Sequence, residues 1–134
     1  MTTEQGRLID SRRQGCRRTI QYFDDVVHTM GNKKDVARFF RLFMVPGKNH
    51  CDATGGPGPD NFDLLSALEA WVEGGVAPDS LLASSAGPEV FTRLLCSYPA
   101  VAVYDGVGDP DDAASFRCKD RGLGHALKGF QSGG

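Results

Sequence analysis

Histidine is the residue type in this chain that most invites chemistry, and the 134 residues hold three of them. His50 stands apart by position. It follows an almost unbroken apolar run, Phe39 to Val45, after a short link of Pro46, Gly47, Lys48 and Asn49. In open α/β sheets the loop leaving the carboxyl end of a strand carries ligand and catalytic groups. An imidazole there, with an ordinary pKa of about 6.5, can accept a proton near neutral pH. The competing reading is a loop histidine that merely faces solvent, and position alone does not separate the two. His28, on the polar side of a helical pattern, and His125, in the tail, read as inert. A base also needs a nucleophile to serve. None of the eight serines has glycine two residues to each side, so the strained Gly-x-Ser-x-Gly elbow is absent. Ser97 is followed by Tyr98 and Pro99, which cannot form that turn.

Four cysteines, Cys16, Cys51, Cys96 and Cys118, lie 35, 45 and 22 residues apart. No pair has the short spacing that sets two thiolates on one zinc ion, and three disulfide pairings remain open. Asp105, Asp109, Asp111 and Asp112 suggest calcium, but the order of ligands, glycine and final glutamate that a calcium loop needs is missing. They read as a solvated acidic turn. Gly55-Gly56-Pro57-Gly58 lacks the Gly-Lys-Ser/Thr ending of a phosphate cradle.

The elements that must position these groups follow from periodicity. Residues 1–18 show no clean period and are expected to be irregular. From Thr19, a candidate N-cap, the apolar residues Ile20, Phe23, Val26, Val27 and Met30 form one helical stripe, with Asp24 and Asp25 opposite and Gly31 as the stop. Phe39 to Val45 is apolar at nearly every position, which predicts a parallel strand covered on both faces and ended by Pro46. Residues 46–60 form a loop. Asp60 or Asn61 then caps a second helix whose buried stripe is Phe62, Leu65, Ala67, Leu68, Trp71 and Val72, ended by Gly74 and Gly75. Short strands are expected at 80–83 and 101–104, and 119–134 is a polar, Gly-containing tail. The order helix, buried strand, histidine loop, helix is an α/β unit. One such unit lacks the neighbouring strands that its central strand requires, so it reads as the end of a larger sheet.

A specific resemblance runs through these segments. Phe39 to Cys51, then Gly55-Gly56-Pro57-Gly58, Asp63 to Glu73, Gly75 to Asp79, Leu95 to Pro99 and Asp111 to Cys118 resemble the C-terminal part of the tannase and feruloyl esterase family. The resemblance covers about residues 19–118. It implies an α/β-hydrolase that cleaves esters of aromatic acids with a Ser-Asp-His triad and no cofactor. His50 matches the triad histidine. Cys51 matches the cysteine that ties the histidine to the nucleophile loop, and its partner is missing from this chain. Cys96 and Cys118 match two cysteines that pair in the family. Asp10 has the spacing of the triad acid, 40 residues before His50, although Leu8-Ile9 precede it where an apolar pair should follow. The family's serine motif and lid have no counterpart here, and Asn49 and Lys48 depart from the usual glycine and apolar residue.

Charge and length bound the remaining choices. The formal net charge is −2, and the basic residues concentrate early, nine of fifteen within residues 1–41. The cluster Arg12, Arg13, Arg17 and Arg18 has no interleaved aromatics, so a nucleic-acid partner is not expected. No apolar stretch reaches the roughly 18 residues of a membrane span, and the start lacks the apolar core of a signal peptide. The resemblance implies an exported protein, secreted or periplasmic, which would suit disulfides. The expectation is a C-terminal portion of an esterase, 19–118, without its nucleophile and inactive alone. The alternatives are a non-catalytic remnant or interaction module, or one half of a split esterase completed by an N-terminal chain.

Overall fold

The computed structural model describes residues 2–48, 57–85 and 89–125, with the backbone alone over 2–15. The chain divides into two units, Met1–Phe39 with Gly122–Gly134, and Phe40–Arg121.

In the first unit, helix α1 runs from Thr2 to Met30 and a short helix α2 from Lys33 to Val36. Of the stretch expected to be irregular over 1–18, residues 2–18 are helical instead, and Thr19 lies inside α1 rather than at its cap. Leu8, Arg7, Arg12, Arg13 and Gln14 are good helix formers, and a missing apolar period argues only against a buried face. Ile20, Phe23 and Val27 are buried, whereas Met30 is exposed. Asp24, expected opposite the stripe, is buried too, because four residues beyond Ile20 is only about 40° around the helix. Gly31 ends α1 at φ +76°, its N–H donating to the Val27 carbonyl at 2.9 Å. The Asn32 side chain then caps α2 by accepting the Lys34 N–H.

The second unit mixes helix and sheet. Strands β1 (Asn61–Phe62), β2 (Ser80–Ser84) and β3 (Thr92–Cys96) form one sheet in that order; β4 (Ala100–Tyr104) and β5 (Phe116–Asp120) form another. Every pairing among these strands is antiparallel. β2 alternates as a half-buried strand should, with Leu81 and Ala83 turned in and Leu82 out. Leu81 and Ala83 pack with Leu95 of β3, and Phe43, Val45, Phe62 and Ala67 lean on that cluster. The Cys96–Cys118 disulfide joins β3 to β5, the pair that the family resemblance implies.

The apolar run at 39–45 is not a covered parallel strand. Phe39 is exposed, residues 40–45 are half-buried, and the backbone makes one antiparallel bridge, Phe43 with Ser97. Apolar density specifies a demand for cover, not a ladder of hydrogen bonds. The segment is extended all the same: the Tyr98 N–H reaches the Leu42 carbonyl at 2.8 Å, and Arg41 pairs with Asp79 at 2.6 Å.

Helix α3 spans Leu64–Gly74 and also differs from expectation. Asn61 is committed to pairing with Ser84, so the cap falls to Asp63, which accepts the Ser66 N–H at 2.9 Å. Gly75 takes φ +69°, and bonds from Gly75 to Trp71 and from Val76 to Ala70 close a Schellman motif. The expected buried stripe is largely in water. Leu65 and Val72 are 66% and 76% exposed, Leu64 and Leu68 are exposed as well, and Ala67 and Trp71 are half-buried. α3 is apolar around most of its circumference, so one sheet can cover only part of it.

Candidate active site

The described residues on either side of the segment that holds the histidine come together in a narrow neck. Its incoming leg, residues 42–47, is fixed by the Tyr98–Leu42 bond, the Phe43–Ser97 bridge and the packing of Phe43 and Val45. Its outgoing leg, residues 57–62, is fixed by Asp60, whose N–H donates to Ser84 at 3.1 Å, and by the pairing of β1 with β2. Pro59 is buried between those anchors. The legs meet where the Gly58 N–H donates to the Gly47 carbonyl at 3.0 Å. His50 and Cys51, which fall between these legs in the sequence, lie outside the described residues. Asp10 lies on the helical backbone of α1, in the stretch whose side chains are not described.

Beside the neck is an open cavity of about 430 Å³, walled by Pro46, Gly47, Pro57, Gly58 and Pro59 on one side. Phe91, Arg93 and Asp111 contribute to its other wall. The Arg93 guanidinium lies 4.4 Å over the Phe91 ring, an attractive cation–π geometry. It also donates to the Asp111 carboxylate at 2.9 Å and to the Thr92 and Pro110 carbonyls. Arg93 is therefore occupied in holding this wall together. No signal in the sequence marks this group, because the contact between residues 93 and 111 depends on how the β3 and β4–β5 segments meet.

The acidic residues expected as a solvated turn have defined structural partners. Asp105 pairs with Arg117, Asp109 accepts the Asp111 N–H, and Asp112 caps the short 3₁₀ turn at Ala113–Ser115. The Asp111 carbonyl accepts from Thr92, whose hydroxyl in turn accepts the buried Ala113 N–H at 2.8 Å. These contacts bolt the turn to β3, and through it to the cavity wall.

The model of the family described as tannase and feruloyl esterase matches residues 9–119, most of the chain. The chain belongs to that family. The match begins at residue 9, ahead of the 19–118 stretch that carries the resemblance. Among its relatives is the mono(2-hydroxyethyl) terephthalate hydrolase of Piscinibacter sakaiensis. It is 53% identical over 87 residues, which cover 61% of this chain and 14% of that one. A probable feruloyl esterase of Arthroderma benhamiae is 41% identical over 112 residues, 80% of this chain and 21% of the relative. The crystal structure of an esterase from Aspergillus oryzae superposes with a TM-score of 0.64 at 29% identity, over 74% of this chain and 23% of that one. Feruloyl esterase B from the same organism gives 0.62 at 29% identity, over 73% and 22%. The chain thus spans about a fifth or less of the length of these two curated relatives.

Proposed function

We propose that this chain supplies the histidine-bearing portion of a carboxylic ester hydrolase acting on esters of aromatic acids. The observation that carries the reading is the family match over 9–119, which takes in His50 and Cys51. In this reading the second unit is a portion of an α/β-hydrolase domain. His50 accepts the proton of a serine hydroxyl as its oxygen attacks the ester carbonyl, then returns it to the departing alcohol when the ester C–O bond breaks. Water, activated by the same imidazole, releases the aromatic acid from the acyl-enzyme. A carboxylate orients the ring; Asp10 is the candidate within this chain. Cys51 is the tether to the nucleophile loop. The attacking serine comes from outside these 134 residues, since none of the eight serines here has the elbow setting.

Two assays test this. The purified chain alone is expected not to turn over methyl ferulate or mono(2-hydroxyethyl) terephthalate. The Piscinibacter sakaiensis hydrolase carrying residues 9–119 of this chain in place of its matched segment is expected to turn over the terephthalate ester. His50→Ala in that chimera should lower kcat by about 10⁴-fold or more. Full activity with alanine at position 50 would remove the histidine from the mechanism.

A further inference from the structure

We infer that the exposed face of α3 is the surface on which the remainder of the esterase docks, through a segment apolar at its centre and edged by Lys or Arg. The inference rests on the reading of this chain as one portion of an ester hydrolase, and it names where the rest of that enzyme seats.

The face is continuous. At about 100° per residue, Leu64, Leu68, Val72 and Leu65 fall within about 100° of the helix circumference. All four are exposed. Leu64, Leu68 and Val72 stand on successive turns, the spacing by which an amphipathic helix meets a neighbouring element. Half-buried Trp71 lies about 20° to one side, and Ala67, about 40° further, packs on the sheet cluster. Glu69 and Glu73, both exposed, lie about 40° and 80° beyond the other side. The sheet of this unit thus takes one flank of α3 and leaves bare the next, which carries the leucines and the valine. A continuous apolar patch rimmed by polar residues marks an interaction site.

Size and charge identify the occupant. The two Aspergillus oryzae structures superpose on this chain over 23% and 22% of their own length, so more than three quarters of such an esterase lies outside the matched portion. That remainder covers what the sheet of this unit does not reach. The edge of the face then selects for sign. No Lys or Arg occurs between Lys48 and Arg93, a stretch that includes the whole of α3. Glu69 and Glu73 have no ion-pair partner among the described residues. A segment with basic residues along its rim finds two open countercharges here. A second copy of this chain does not. A two-fold pair sets the same patch on both chains, so acidic edge meets acidic edge and self-association through the face is weak.

Trp71, the sole tryptophan of the chain, borders the face and reports on its occupancy. Two tryptophan-free amphipathic helical peptides with the same leucines, one edged by Lys and one by Glu, are titrated into the full chain. The Lys-edged peptide is expected to shift the Trp71 emission to the blue and to bind about tenfold more tightly than the Glu-edged one. Glu69→Lys with Glu73→Lys should reverse that order, and Leu65→Gln with Val72→Gln should abolish the shift with either peptide. In the chimera, hydroxyl-radical oxidation of Leu65, Leu68 and Val72 is expected to fall about fivefold or more relative to the chain alone. Exposed Val107 should be oxidised equally in both. Equal binding of the two peptides, or a Trp71 emission that neither moves, overturns the proposal. Self-association that the Lys-edged peptide does not displace gives the face to a second copy and overturns it too, as does equal oxidation of the three side chains in chain and chimera. Neither measurement needs turnover, so an active His50→Ala chimera would sink the functional reading while leaving the docking surface to be judged by itself.

Discussion

Asp63 shows how one exposed side chain can set an element in place. Its carboxylate accepts the Ser66 hydroxyl at 2.7 Å and the Ser66 N–H at 2.9 Å, satisfying a donor that the first turn of α3 would otherwise leave open. Those two bonds, the hydroxyl first, favour the ionised form and hold its pKa below the ordinary 3.8; burial opposes them only slightly. Because the folded-state pKa lies below the unfolded one, the stabilisation is present above about pH 4. It is lost as the pH falls through the lowered value. Amide exchange at Ser66 should accelerate on acidification below that range. Asp63→Asn, which caps without titrating, should flatten this dependence while leaving exchange at neutral pH nearly unchanged. At this scale the sequence was legible where residue type and local spacing are enough, as with Gly31 as a helix stop. It was silent where a contact is made across the fold. Nothing near Gly58 distinguishes it from its neighbours in a Gly- and Pro-rich loop, and Arg93 meets Asp111 only after the strands have come together.

Among the elements, β5 owes its place to pairing and to a covalent bond rather than to burial. Phe116 is half-buried and the next four residues are exposed, so its sequence, Phe-Arg-Cys-Lys-Asp, shows little of the apolar content that predicts a strand. Full pairing with β4, the Tyr104–Phe116 ring contact at 5.4 Å and the Cys96–Cys118 bond hold it instead. β3, which an isolated Thr-Arg-Leu-Leu-Cys does not announce either, is held by burial of Leu95 and Cys96 as well as by pairing with β2 along its whole length. β2 and β4 were legible because they are short apolar runs between turn residues. The disulfide closes a loop with a sequence separation of 22, which in the chain-entropy model contributes about 3 kcal/mol. Cys118→Ser should therefore lower the urea unfolding free energy of the oxidised chain by about that amount, with the change read in the midpoint at constant slope. An equal loss from Cys16→Ser, a free and exposed thiol, would show that the effect is not the cross-link.

For the molecule as a whole, the question is what the uncovered apolar surface does in water. Leu64, Leu65, Leu68 and Val72 are all exposed on α3, and Val76 just beyond it is 66% exposed. Scattered apolar residues on a surface are ordinary, but a contiguous face of this kind drives association. Periodicity placed Leu65, Leu68 and Val72 on one helix but also counted Phe62, which pairs in β1, and it misjudged their environment, because a stripe records what a helix is built to meet, and among the described residues of this helix it is Ala67 that packs on the sheet cluster. Since the side chains are already in water, replacing them removes no packing from the fold. Leu65→Gln combined with Val72→Gln should leave the thermal midpoint of the chain close to that of the parent, each change being worth at most about 0.5 kcal/mol. Ala83→Gln, at a site with no exposed surface, should unfold it. Sedimentation velocity on the parent chain should show concentration-dependent self-association, and the double glutamine variant should shift the distribution to monomer. A parent chain that sediments as a monomer at every concentration would mean that the α3 face is tolerated bare. A double variant that loses its midpoint would mean that the face is packed in solution.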